Sequence, residues 1–136
     1  WGKKLVTIEG RDISLDDIEH RILRPIWQDN RVHYAVNCAA VGCPNLNKDA
    51  YTAANTDRLL SAAAGTYINH TRGVRIEDGA LYVSSIFDWY KVDFGDTDNG
   101  VITHLKKYAN PELQKALAGI TEIEDHAYDW DLNGIP

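Results

Sequence analysis

The sequence predicts an α+β domain, in which a small mixed or antiparallel sheet is packed by four to five helices. In several segments apolar residues at helical spacing follow helix-capping residues, and in others short β-prone runs flank turn residues. These helices and strands alternate without the regular rhythm of a parallel α/β fold. The 136 residues are 44% hydrophobic and 25% charged, so residues 1–136 fit a single globular domain with a substantial core.

The N-terminal segment predicts a short strand followed by a capped helix. Residues 5–8 are β-prone, and a turn follows them at residues 9–12. Ser14 is placed to cap the next helix, with Asp17 three residues further on, as in a capping box. Apolar residues then recur on one helical face until Pro25, which ends the helix or follows its end.

The segment that follows predicts a strand and a loop. Residues 32–37 are typical of a largely buried strand, because both of its faces would be small or apolar. Residues 38–46 then form a loop or short helical turn that contains Gly42 and Pro44. Cys38 would therefore lie where a buried strand meets a loop, which is where rigid scaffolds often present reactive groups.

The second half of the chain predicts one hairpin and three further helices. Residues 52–68 predict a helix that is capped by its first residue, a Thr. The turn residues 77–79 lie between two β-prone runs and indicate a hairpin. After an aromatic cluster, residues 101–108 predict a helix, and the Asn-Pro pair at 110–111 begins another one that ends at Gly119.

Composition excludes several classes of partner. The formal net charge of −6 argues against a nucleic-acid partner, because an acidic surface repels phosphate groups. No apolar run approaches the roughly 20 residues needed to cross a bilayer, so we expect no membrane span. The sequence contains no glycine-rich phosphate loop, and we expect no cofactor. Two cysteines do not define the redox environment, so the compartment is left open. The sequence also leaves the oligomeric state open.

The main candidate for chemistry is Cys38. Its thiolate would be nucleophilic if a His, a helix N-terminus or a cation lowered its pKa, although free Cys is also among the most commonly buried residues. Cys43, between Gly42 and Pro44, is the competing nucleophile or shapes the loop. A disulfide between Cys38 and Cys43 is a further alternative, which would close a very short loop.

Two histidines are candidate bases. His33 stands five residues before Cys38, but strict strand alternation would place the two on opposite faces, and a buried structural His is the simpler interpretation. His20 lies in the first helix beside Glu19, and Asp16 one turn earlier could orient its ring. A carboxylate that orients an imidazole is the base-and-orienter half of a catalytic triad.

A zinc site is a second hypothesis. His20, His33, Cys38 and Cys43 are all zinc-ligand types, and together they could complete a four-ligand set. The spacing of the two cysteines differs from the tight C-x2-C pair of zinc knuckles and ribbons. The thiol hypothesis therefore has the better support.

The acidic and aromatic stretches at residues 88–90 and 128–131 suggest a third kind of site. Aromatic faces beside carboxylates could line a groove for a sugar or a peptide. Ordinary packing of Trp and Tyr, with their polar tips at the surface, is the simpler explanation. The substrate-binding candidates in these stretches are Trp89, Tyr90, Tyr128 and Trp130.

Four segments together resemble the domain-of-unknown-function 547 family. Their order and spacing match over nearly the whole chain, with Asp131 where Ser is more typical. Family members usually have a helical segment before the position of Trp1, so we expect this chain to lack the N-terminal helical segment of the family. The four segments are residues 13–20 with 22–25, 33–38 with 42–46, 86–90 with 93–95, and 128–133.

The resemblance also carries expectations about the site and the compartment. The family segments single out Glu19, His20, His33, Cys38, Cys43 and the Tyr-Asp-Trp sequence at 128–130. A set of Cys, His and acid of this kind is similar to papain-like or transglutaminase-like thiol enzymes, by analogy of fold alone. Bacterial members often look exported, so the resemblance leaves a periplasmic or secreted location open.

We therefore predict a cysteine-dependent hydrolase or acyl transferase that acts on a peptide or small amide. Cys38 would be the nucleophile, and His20 or His33 would be the base. Backbone N–H groups near Ala39 and Ala40 would form the oxyanion hole. The base would be oriented by Glu19, Asp16 or Asn37. The alternatives are a non-catalytic binding or scaffolding module with an aromatic groove, and a zinc site.

Overall fold

The α+β prediction is confirmed by a computed structural model, which describes residues 1–134. The helices are α1 (Leu15–Asp17), α2 (Thr56–Ile68), α3 (Ile86–Trp89), α4 (Asp98–Tyr108) and α5 (Pro111–Ala116). The strands are β1 (Val6–Ile8), β2 (Arg11–Ile13), β3 (Val74–Glu77), β4 (Ala80–Ser84) and β5 (Asp125–Ala127). The strands form two small sheets, an antiparallel β1-β2 pair and a mixed sheet of order β3-β4-β5. Within residues 1–134 no helix is both long enough and apolar enough to cross a membrane.

The capping box at the start of α1 is confirmed. The Ser14 side chain accepts a hydrogen bond from the Asp17 backbone N–H at 3.1 Å, and Asp17 accepts one from the Ser14 N–H at 2.8 Å. The expected stop at Pro25 is wrong, because α1 continues directly as a π-helix over Ile18–Trp27. Proline lacks an N–H donor, and the wide i→i+5 register of a π-helix is a recognised local departure from α geometry.

The strand expected at residues 32–37 is wrong. This segment begins with a 3-10 helix, Asn30–Tyr34, which is capped by Asp29 through a 3.0 Å bond from the Arg31 N–H. All of Val32, His33 and Tyr34 are buried. A run that is apolar on every side satisfies a short buried helical turn as well as a buried strand, so periodicity alone could not distinguish them.

The hairpin and the later helices are confirmed, but two helices begin at other residues than expected. Helix α4 begins at Asp98, three residues earlier than expected, with Thr97 as its N-cap. Strands β3 and β4 pair antiparallel around Asp78 and Gly79, whose φ angles of 51° and 84° are those of a tight two-residue turn. Asn110 caps α5 by accepting from the Leu113 N–H at 2.9 Å. Helix α2 begins four residues later than expected, at Thr56, because residue Asn55 occupies its N-cap position.

The core joins the mixed sheet to helices α2 and α4. Its fully buried members include Tyr34, Tyr67, Phe87, Val101 and Leu105. Strand β4 leads directly into α3, and β5 pairs in parallel with β4 through the register pair Val83 and His126. The sheet therefore delivers the two acidic and aromatic stretches, one after β4 and one after β5, to the same side of the molecule.

Candidate functional site

One cleft of about 390 Å³ brings together the predicted site residues except Asn37 and the oxyanion-hole candidates Ala39 and Ala40. These residues come from the π-helix, the 3-10 helix, the loop of residues 38–46 that carries both cysteines (the cysteine loop), the end of α3 and the chain after β5. The lining residues are Trp1, Asp16, Glu19, His20, His33, Val36, Cys38, Cys43, Pro44, Ile86, Trp89, Tyr90, Tyr128 and Trp130. The cleft has the size of a small-molecule or peptide side-chain pocket.

The two cysteines of the cleft are joined in a disulfide. Of the alternatives that the sequence left open, the structure contains the bridge, and no free cysteine occurs in residues 1–134. Cys38 is half-buried, whereas Cys43 is only 2% exposed. In this form neither sulfur is a thiolate, so the thiol chemistry expected of Cys38 requires reduction first.

Asn37, which the sequence analysis considered as a residue that orients the base, instead binds the backbone of the cysteine loop. The Asn37 side chain accepts from the Ala39 N–H at 2.8 Å and donates to the Pro44 carbonyl at 2.7 Å. Ala39 has a φ of 62°, a left-handed conformation that this side-chain bond supports. The Ala39 N–H is therefore occupied, and Ala40 forms an isolated bridge with Leu132.

The chain after β5 packs against the cysteine loop through backbone hydrogen bonds. The Val41 N–H donates to Asp131 at 2.8 Å, and the Gly42 N–H donates to Asp129 at 2.9 Å. A Cβ on Gly42 would lie 3.0 Å from the Asp129 backbone and from the Tyr128 ring, so glycine permits this close approach. The contact holds Tyr128 beside the disulfide.

Tyr128 contacts both sulfur atoms. Its hydroxyl oxygen lies 3.1 Å from Cys38 Sγ and 3.0 Å from Cys43 Sγ. A disulfide sulfur carries no proton, so the tyrosine O–H is the donor. Burial raises the pKa of Tyr128, which keeps that proton in place at neutral pH. The Cys38 backbone N–H also donates to Cys43 Sγ, at 2.9 Å.

His33, which also lines the cleft, is fixed by Asp93. The distance from His33 Nε2 to Asp93 Oδ2 is 2.8 Å, and Arg24 binds the same carboxylate through two contacts of 2.6 and 3.2 Å. Burial lowers the pKa of His33, although Asp93 acts in the other direction. Burial would raise the pKa of Asp93, but hydrogen bonds from Arg24 and His33 hold it below its ordinary value. The imidazole is therefore neutral at pH 7, and its Nε2–H donates to the carboxylate.

Sequence reasoning missed Asp93 and Arg24 as site residues. Asp93 orients His33, a role that the sequence analysis gave to Glu19, Asp16 or Asn37. The two partners are separated by 60 residues, so no local spacing could pair them. The sole indication in the sequence was that Arg24 and Asp93 lie within the segments that resemble the family.

Glu19, His20 and Tyr90 line the cleft next to His33 and Arg24. Tyr90 stacks on His33 with ring centroids 4.1 Å apart, and burial together with the nearby Glu19 carboxylate raises its pKa to about 12. His20 accepts a hydrogen bond at Nδ1 from Arg24 at 3.2 Å and lies 4.0 Å from Glu19. Glu19 is buried while His20 is exposed, so His20 is the imidazole that solvent reaches more freely.

The aromatic wall, defined as Trp89, Tyr128 and Trp130, forms the outer edge of the cleft. Tyr128 lies 4.9 Å from Trp89 and 4.7 Å from Trp130, and the two indoles stack at 5.4 Å. Trp89 is 44% exposed and Trp130 is 67% exposed. Large aromatic faces kept at the surface are typical of binding sites.

The geometry does not support the zinc hypothesis. Across the described part of the chain, no three His, Cys, Asp or Glu side chains are arranged to hold a metal ion. The pairing of both cysteines also removes the thiolates that zinc would require.

Comparison with known proteins found one family. A family model described as "Protein of unknown function, DUF547" matches residues 1–68, which carry Glu19, His20, His33 and both cysteines. Neither the curated proteins nor the solved structures contain a match to this chain.

Proposed function

The chain belongs to the DUF547 family, whose description assigns no activity, and we propose that it is a binding module whose cleft takes a peptide segment. The observation that carries the proposal is the exposed aromatic wall at the edge of a cleft of about 390 Å³. Burial of apolar surface typically stabilises a protein or complex by about 25 cal/mol per Å². The exposed part of each indole lacks this stabilisation. A ligand that stacks on Trp89 and Trp130 would recover that free energy on binding.

Two acidic residues in the lining of the cleft define the charge of the ligand. Asp16 and Glu19 present carboxylates there, and the whole chain has a formal net charge of −6. A positively charged group is attracted by such a field and also interacts favourably with an indole face. The preferred ligand is therefore a peptide with a Lys or Arg side chain between the aromatic wall and the carboxylates.

The binding proposal is tested with two short blocked peptides that differ in one residue, Lys in the first and Glu in the second. Isothermal titration should show binding of the Lys peptide and at least tenfold weaker binding of the Glu peptide. Trp130→Ala should weaken binding of the Lys peptide about tenfold, which corresponds to roughly 1.4 kcal/mol. Trp27→Ala is the matched control, because Trp27 is 59% exposed and does not line the cleft.

The proposal fails if the two peptides bind equally or if neither binds. It also fails if Trp130→Ala and Trp27→Ala have the same effect, since the aromatic wall would then not be the binding surface. Circular dichroism of both variants checks that each keeps the native fold.

A second candidate function is acyl transfer or hydrolysis by the reduced protein. It is favoured by the placement of half-buried Cys38 in the same cleft as His20 and as His33, which Asp93 orients. Reduced Cys38 would attack a peptide or amide carbonyl, with His33 or His20 as the base. A papain-like or transglutaminase-like arrangement remains part of this proposal, as an analogy of fold.

Alkylation of Cys38 tests this second function. Cys43→Ser leaves Cys38 as a free thiol, and its iodoacetamide reaction rate should rise with a midpoint below the ordinary thiol pKa of about 8.5. The same midpoint should move upward when His33→Gln is added, because no imidazole would then be available at this position to accept the thiol proton. A midpoint at or above 8.5 in Cys43→Ser would exclude an activated nucleophile.

A further inference from the structure

The two residues of the Cys38–Cys43 disulfide differ in exposure. Both residues line the cleft, but Cys38 is half-buried and Cys43 is only 2% exposed. Thiol–disulfide exchange requires the attacking thiolate to approach one sulfur along the S–S bond. A reactant that enters from the cleft therefore reaches Cys38 Sγ, and Cys43 becomes the leaving group.

The leaving sulfur, Cys43 Sγ, lies within hydrogen-bond distance of two donors. Cys43 Sγ accepts from the Cys38 backbone N–H at 2.9 Å and from the Tyr128 hydroxyl at 3.0 Å. Hydrogen bonds to an anion are about twice as strong as those to a neutral acceptor, so both contacts strengthen as negative charge develops on Cys43. A leaving thiol with a lower pKa departs faster.

The neighbours of Tyr128 hold its hydroxyl in position to donate. The ring packs against both Trp89 and Trp130, and the Gly42 contact holds the following backbone against the cysteine loop. Its hydroxyl is therefore held within reach of the disulfide without an induced movement, as an electrostatic stabiliser should be.

We infer that the Cys38–Cys43 disulfide is a thiol–disulfide exchange site that oxidises a peptide dithiol. One partner thiolate bonds to Cys38 Sγ, the Cys38–Cys43 bond breaks, and its electron pair leaves on Cys43. The second partner thiolate then attacks the partner sulfur of the mixed disulfide and releases Cys38. The partner dithiol is oxidised to a disulfide, the domain disulfide is reduced to a dithiol, and the two partner protons end on Cys38 and Cys43.

This activity is separate from the proposed binding of a basic peptide. It uses Cys38, Cys43 and the hydroxyl of Tyr128, whereas the binding proposal rests on the two exposed indoles and on the carboxylates of Asp16 and Glu19. Tyr128→Phe removes the hydroxyl that the exchange reaction uses but keeps the ring in the aromatic wall, so the two proposals can fail separately.

The first experiment measures the rate at which a synthetic dithiol peptide reduces the oxidised protein, by acid quench and mass spectrometry. Tyr128→Phe removes one donor to the leaving sulfur and keeps the ring, so it should slow reduction about tenfold. Tyr51→Phe is the matched control, because Tyr51 lies outside the cleft, and it should leave the rate unchanged. Equal rates for Tyr128→Phe and the wild-type protein would overturn the inference.

The second experiment uses the wild-type protein and a monothiol, glutathione, to identify the sulfur that is attacked. Quenching with iodoacetamide should give a mixed disulfide on Cys38 and an alkylated Cys43, in at least tenfold excess over the opposite arrangement. An equal distribution, or a mixed disulfide on Cys43, would overturn the inference. Because no residue is replaced, this result does not depend on how well a variant folds.

Discussion

At the scale of single residues, the Asp93 carboxylate binds two basic side chains that differ in charge state. Arg24 binds it through two contacts, and its own pKa is raised chiefly by the hydrogen bond to Asp93. His33 donates to the same carboxylate and stays neutral because burial outweighs the attraction of Asp93. One carboxylate thus supports a permanent cation on one side and a neutral imidazole on the other.

Asp93→Asn should therefore lower the pKa of His33 further. The substitution removes the negative charge that favours the protonated ring, while the burial that disfavours it remains. The pKa is read from the pH dependence of the His33 ring proton signals in NMR spectra. Asp96→Asn is the matched control, since Asp96 is exposed and should leave the His33 titration unchanged. A His33 pKa that rises or stays fixed in Asp93→Asn would contradict the hydrogen bond between His33 and Asp93.

At the scale of elements, three local sequence signals predicted the structure correctly. The Ser14–Asp17 capping box, the turn at Asp78 and Gly79, and the cap at Asn110 all occur as expected. In each case the side chains that define the element are neighbours in sequence, so their hydrogen bonds do not depend on the rest of the fold.

Elements that depend on distant partners could not be predicted. The 3-10 helix Asn30–Tyr34 packs against α2, and this contact decides between a buried helical turn and a buried strand. The candidate site follows the same rule. Its residue types were predicted, and the cleft does unite them, but the Asp93–His33 pair joins positions that only the folded chain brings together.

At the scale of the whole molecule, two histidines are buried in a chain with a net negative charge. His104 lies in the core of α4, where its Nε2 is 2.8 Å from the Tyr34 hydroxyl, and His33 lies on the floor of the cleft. Burial lowers the pKa of both rings, to about 4 for His104. The folded domain therefore resists protonation at two sites where the unfolded chain does not.

Acid should accordingly destabilise the domain before most carboxylates titrate. The unfolded chain binds a proton at His104 near its ordinary pKa of 6.5, whereas the folded chain binds it only near pH 4. The free energy of unfolding is therefore highest above pH 6.5, and it falls by on the order of 3 kcal/mol as the pH decreases toward 4.

Urea unfolding across this pH range measures the loss of free energy, to which His33 contributes in the same direction. His104→Gln should flatten the dependence, while His70→Gln, at an exposed position, should not. If His104→Gln retained the wild-type dependence, the buried imidazole would not be the group that couples folding to pH.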